Sequence, residues 1–187
     1  MTERLNIQLS RRTLLGGLVT LGATGAVPRF VRAAAAEQLV TIEQFGTDAR
    51  SRGTVSVPRI VKTDAQWRAQ LSAPAYAVTR QQGTEIAFSG VYDKNHADGL
   101  YSCICCATAL FDSRTKFDSG TGWPSFWKSI SRYNVAERGD SSLGMERTAV
   151  SCKRCDAHLG HVFDDGPRPT GLRYCMNSVS LNFTARA

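Results

Sequence analysis

Apolar and polar positions change rhythm along the chain, and each change marks an element. From Leu14 to about Val27 the residues are mostly apolar without strict alternation, diluted by Gly16, Gly17, Gly22 and Gly25. That stretch is well short of the roughly 18 apolar residues that argue for a membrane span. Leu39 to Phe45 and Thr54 to Val57, separated by Gly46-Thr47-Asp48 and Arg52-Gly53, predict a short hairpin ahead of Pro58. Thr63-Asp64 can cap a helix carrying Trp67 and Leu71 that ends before Pro74, and a second short helix through Tyr76 to Gln81 stops at Gly83. From Ile86 onward, short β-prone runs are broken by Gly, Asp, Asn and Pro about every ten residues, the spacing of an antiparallel β domain. The pattern therefore predicts a mainly β fold, two antiparallel sheets in an open, barrel-like arrangement, with short N-terminal helices.

Composition adds little until charge is located. At 187 residues, 42% hydrophobic and 21% charged, the chain suits one globular domain plus a tail. Its net charge of +7 would ordinarily suggest a polyanionic partner. Within residues 1–36, however, five arginines face the single acid Glu3, so +4 of the charge sits there and +3 is left for the other 151 residues. Those remaining basic residues are scattered, and no nucleic-acid partner is expected. Ser10-Arg11-Arg12-Thr13-Leu14-Leu15, the weakly apolar stretch and Ala33 to Ala36 follow the order of an export signal. The paired arginines resemble a twin-arginine address, which implies an exported, periplasmic protein without stable membrane insertion. A general secretory signal or an uncleaved tail are the alternatives. The expected organisation is a signal over 1–36, an extension with the hairpin over 37–61, and the main domain over 62–187.

Six cysteines remain to be assigned. Cys103/Cys106 and Cys152/Cys155 form two C-x-x-C pairs, and two such turns can present four thiolates to one structural zinc ion. A disulfide framework competes in an exported chain, with 15 possible pairings. Cys105 lies between two ligands and reads as a spectator. Cys175 stands in Gly171 to Phe183. If that run is one strand, Arg173, Cys175 and Asn177 share a face that Val179, Leu181 and Phe183 continue into a core. A guanidinium there is expected to lower the Cys175 pKa, whereas an inert buried thiol is the commoner fate of a free cysteine. His158 and His161 follow the second Cys pair and can deliver a proton, or simply be satisfied histidines in a turn. Ser119 to Trp127 sets Trp123 on a Gly-rich loop, suited to an apolar recognition pocket or to core packing.

The segments Phe117 to Phe126, Cys155 to Gly166 and Arg173 to Ser178 resemble the type B peptide-methionine sulfoxide reductases, which act on the R epimer. The resemblance runs from about Lys62 to Phe183. It implies two antiparallel sheets, zinc on Cys103, Cys106, Cys152 and Cys155, and Cys175 as a nucleophile that becomes a sulfenic acid. It also implies His158, His161 and Asp165 as proton donors or their organisers, Trp123 and Phe163 against the substrate, and Arg173 and Asn177 orienting the thiolate. Substrates would be oxidised proteins bearing methionine-R-sulfoxide, repaired in the cell envelope by a monomer. Many members of that family carry a resolving cysteine where this chain has Thr121. The departure implies direct reduction of Cys175 by a small thiol or thioredoxin-like donor. The competing function is a zinc-stabilised β binding module without catalysis.

Overall fold

The computed structural model describes residues 38–141 and 146–186, so the segment read as an export signal lies outside the described residues. A hairpin of β1 (Leu39–Phe45) and β2 (Ser51–Pro58) leads into α1 (Asp64–Gln70) and α2 (Ala73–Gln81). Then follow β3 (Gly99–Cys103), β4 (Ala109–Asp112), β5 (Lys116–Phe117), β6 (Ser125–Phe126) and β7 (Val135–Asp140). β8 (Arg147–Cys152), β9 (His158–Phe163), β10 (Arg173–Met176) and β11 (Leu181–Ala185) complete the chain. Among these residues no helix is long and apolar enough to cross a membrane.

Local chemistry sets the helices. Thr63 caps α1 in a reciprocal box: its hydroxyl accepts from the Gln66 N–H, and its own N–H donates to Gln66 Oε1 at 2.9 Å. α1 ends before Pro74, as expected, and Pro74 itself sits in the first turn of α2, where a missing N–H costs nothing, behind Ser72 as the cap. Gln82, at φ 57°, closes α2 one residue before Gly83.

The β domain holds the two expected antiparallel sheets, one of six strands in the order β5-β6-β10-β9-β8-β7 and one of three in the order β11-β3-β4. Tyr101, Phe111 and Leu110 from the smaller sheet and Phe126, Val150, Leu159 and Met176 from the larger are fully buried. Phe111 stacks on Phe126 at 4.4 Å and Tyr101 meets Phe126 edge-on at 5.0 Å, so one aromatic cluster joins the sheets. Burying each such ring contributes about 1.5–3 kcal/mol. The β1–β2 hairpin is tied to this body by Asn134, whose amide accepts from the Glu43 N–H and donates to the Glu43 carbonyl, both at 2.8 Å.

The run around Cys175 is not one strand. β10 stops at Met176, a 3-10 turn covers Ser178–Ser180, and β11 joins the other sheet. The cause is a carboxylate from far upstream. Glu85 takes the Ser178 N–H at 2.6 Å and the Val179 N–H at 3.1 Å, removing from the ladder the donors a continuing strand needs. Alternation holds up to this point: Tyr174 and Met176 face the core, leaving Arg173 and Cys175 on the opposite face. Val179, Leu181 and Phe183 do not extend that face.

Candidate active site and metal centre

The two cysteine turns are built alike. The Cys103 carbonyl accepts the Ala107 N–H at 2.8 Å and the Cys152 carbonyl accepts the Asp156 N–H at 2.8 Å. Each turn closes on a left-handed residue, Ala107 at φ 57° and Asp156 at φ 59°. They bring the four Sγ atoms of Cys103, Cys106, Cys152 and Cys155 within 4.8 Å of one another, with Cys103 to Cys155 at 3.6 Å and Cys106 to Cys152 at 3.5 Å. Four thiolates held about 2.3 Å from one tetrahedral ion would stand roughly 3.8 Å apart, so the cluster fits a single metal ion. A disulfide requires about 2.05 Å, and every cysteine is free, which removes the disulfide framework. Cys105 is buried beside this cluster.

On the outer face of the larger sheet, register assembles a second constellation. Cys175 lies opposite His161 on β9 and opposite Ser125 on β6, while Arg173 lies opposite Phe163. β9 can approach β10 this closely because Gly160, at φ 157°, has no side chain: a Cβ there would stand 2.1 Å from the Cys175 carbonyl oxygen. A cavity of about 130 Å³ opens over the thiol, lined by Thr84, Trp123, Arg147, His161, Phe163 and Asn177 among others.

The electrostatics of this cavity differ from the sequence expectation. Burial pushes the Cys175 thiol above its ordinary value, outweighing the Arg173 charge and the nearby Thr121 and Ser125 hydroxyls that pull it down. Arg173 is already committed elsewhere. Its Nε and Nη2 fork onto the two oxygens of Asp165, both at 2.8 Å, and its guanidinium lies 4.4 Å over the Phe163 ring. That fork holds the Asp165 carboxyl below its usual range, so Asp165 is ionised and orients Arg173 rather than supplying a proton.

The histidines separate as well. His161 borders the cavity, with Nε2 at 2.9 Å from Asp140 Oδ2. His158 is buried behind it, ring centroids 5.2 Å apart, and lines a different, polar recess with Arg80 and Arg138. Burial, then the charge of His161, pushes the His158 pKa down to about 4, so it stays neutral near pH 7. Asn177 has its amide occupied: it accepts from the Glu85 N–H at 2.9 Å and donates to the Leu159 carbonyl at 3.0 Å. It borders the cavity but clips backbone, and through Glu85 it sets the indole, since Trp123 Nε1 donates to the Glu85 carbonyl at 3.1 Å. Beside the thiol, Thr121 and Ser125 are joined through Ser119, each hydroxyl pair at 2.8 Å.

Sequence reasoning missed Glu85, Asp140, Arg147 and Ser119. Asp140 and Arg147 face each other across β7 and β8, and nothing in their local pattern marks them. Only the alternation of those two strands, laid beside β9, could have placed them on the thiol's face.

A family described as the SelR domain matches residues 71–185. The chain is 59% identical over 122 residues, 65% of its length and 92% of the relative's, to a peptide methionine sulfoxide reductase MsrB of Thiobacillus denitrificans. It is 57% identical over 127 residues to the protein of that name from Herminiimonas arsenicoxydans, covering 68% of this chain and 93% of that one. The Pseudomonas putida protein of the same name is 56% identical over 128 residues, 68% of this chain and 98% of that one.

Proposed function

Since this chain belongs to the SelR domain family together with those MsrB reductases, we propose that it reduces methionine-R-sulfoxide in proteins, with Cys175 as the reacting thiol. The observation that carries this reading is the placement of Cys175 directly across from His161, in a cavity walled by the Trp123 indole. The net step converts a thiol and a sulfoxide into a sulfenic acid and a sulfide. Cys175 sulfur loses two electrons, methionine sulfur gains two, and the oxygen passes between them.

Oxygen leaves the substrate sulfur only when protonated. A thiol held above its ordinary pKa brings a proton to the reaction, and His161 can take it from Cys175 and pass it to the departing oxygen, so no net proton is consumed. Trp123 packs the methyl group, and Phe163 closes the other wall under Arg173. Two external thiols, from a small molecule or a thioredoxin-like protein, then return Cys175 to the thiol and release a disulfide and water. An external donor is required because Thr121 occupies the loop position beside Cys175, and Cys105 belongs to the metal knuckle.

Zinc is the ion proposed for Cys103, Cys106, Cys152 and Cys155, where it would cross-link the turn after β3 to the turn after β8. The arginine pair and alanine run of residues 1–36 support a place of work outside the cytoplasm, reached by the twin-arginine route. No observation favours a module that only binds. Such a module has no need of a thiol facing an imidazole. The test is an epimer-resolved assay with dithiothreitol: the R-sulfoxide peptide is reduced and the S-sulfoxide peptide is not. The reading fails if neither is reduced, or if Cys175→Ser is as active as the unaltered protein.

A further inference from the structure

Asp140 ends β7 and Arg147 begins β8, and the two are cross-strand partners. One oxygen of Asp140, Oδ2, receives both Arg147 Nη2 at 3.1 Å and His161 Nε2 at 2.9 Å. The three side chains are 19%, 21% and 13% exposed respectively, so solvent and salt screen them less than surface pairs. The pleat explains the convergence: His161 lies opposite Ala149, and Arg147, two residues away on the same strand, points to the same face. Arg147 in addition borders the Cys175 cavity.

We infer that Asp140 and Arg147 are positioning residues for His161, forming a carboxylate–guanidinium pair that anchors one imidazole nitrogen and leaves the other to exchange protons during sulfoxide reduction. This rests on the function proposed above. A carboxylate accepting the Nε2–H fixes the tautomer and leaves the other nitrogen to exchange a proton. Arg147 grips the same Oδ2 that faces Nε2, so the carboxylate is held in place against the ring, which suits a group that must first take a proton and then return it through its other nitrogen. The other groups facing His161 are His158 on its own strand and Cys175 and Arg173 on β10, with the Arg173 charge paired to Asp165. None of them contacts Nε2 in its place.

The test compares the full chain with Asp140→Asn and Arg147→Gln, using pH profiles of kcat and KM on an R-sulfoxide peptide with dithiothreitol, and ¹⁵N NMR of the His161 ring. Removing the carboxylate should lower kcat roughly 10- to 100-fold with KM changed less than about threefold. The acid limb, set by protonation of the His161 base, should move to lower pH in Asp140→Asn and to higher pH in Arg147→Gln. Opposite shifts are the signature, since damage to a merely structural pair moves both variants the same way. The inference is overturned if the limbs shift together, if only KM changes, or if the His161 ring keeps the same tautomer in Asp140→Asn. Should Asp140→Asn not fold, a downward shift of the limb in Arg147→Gln, or a protein whose His161 Nε2 carries no proton, overturns it equally. An unaltered chain that fails to reduce the peptide sinks the proposed function, and the NMR arm still decides the pair.

Discussion

Glu85→Gln removes one oxygen's charge and keeps the shape of a side chain that holds three parts of the site together. In the native protein its carboxylate accepts the Ser178 and Val179 N–H groups at 2.6 and 3.1 Å, and its carbonyl accepts Trp123 Nε1 at 3.1 Å. Hydrogen bonds to a charged group contribute about 1.5–3 kcal/mol each. Glutamine can accept one of the two as a neutral partner, but it turns an NH2 toward the other N–H and leaves a buried donor unsatisfied. The expected cost is roughly 2–4 kcal/mol. At about 2–4 °C per kcal/mol for a domain of this size, Tm should fall by roughly 5–15 °C. Because the indole hangs on the same residue's backbone, KM for a methionine-R-sulfoxide peptide should rise more than kcat falls. Thermal unfolding followed by circular dichroism and steady-state kinetics read the two effects. A variant within about 0.5 kcal/mol of the parent, with unchanged KM, would refute the argument that this carboxylate ends β10 and seats Trp123.

Metal analysis of the folded protein should return one zinc per chain, and a strong chelator or Cys106→Ser should lower Tm sharply as four clustered thiolates lose their ion; a metal-free chain of equal stability contradicts the cluster's role. His158 stays neutral in the fold down to about pH 4, whereas the unfolded chain takes up its proton near 6.5. Stability is therefore fully present above about pH 6.5 and declines as pH falls toward 4, a slope that His158→Gln should lack in urea titrations across that range. Thr121 stands beside the Cys175 thiol, so Thr121→Cys should form an intramolecular disulfide with Cys175 after one turnover without external thiol, detectable as a loss of two mass units on the joined peptides. If those thiols stay reduced or pair between molecules, the loop does not sit where it is described.

Features resting on neighbours within a few residues were legible in the sequence. The cap at Thr63 depends on Gln66, three residues on, and each cysteine turn closes on the residue just after its own C-x-x-C. The β1–β2 hairpin was legible for the same reason. Errors began where an element's fate was set from afar. The strand through Cys175 looked continuous because Val179, Leu181 and Phe183 keep the alternation, yet a carboxylate 93 residues before Ser178 turns the chain at that point.

By itself, the order of residues indicated the antiparallel β class, the four cysteines that come to share one cluster, and a free thiol at Cys175 with histidines upstream of it. Those depend on residue type and on spacings that act locally. Tertiary structure decided which imidazole lies across from the thiol, which carboxylate lies against that ring, and the sign of the Cys175 shift. His161 meets Asp140 across 21 residues, and burial of the thiol outweighs an arginine only two positions away. The physical reason is that desolvation and strand register belong to the packed sheet rather than to any segment of it, so neither has a counterpart in the linear pattern.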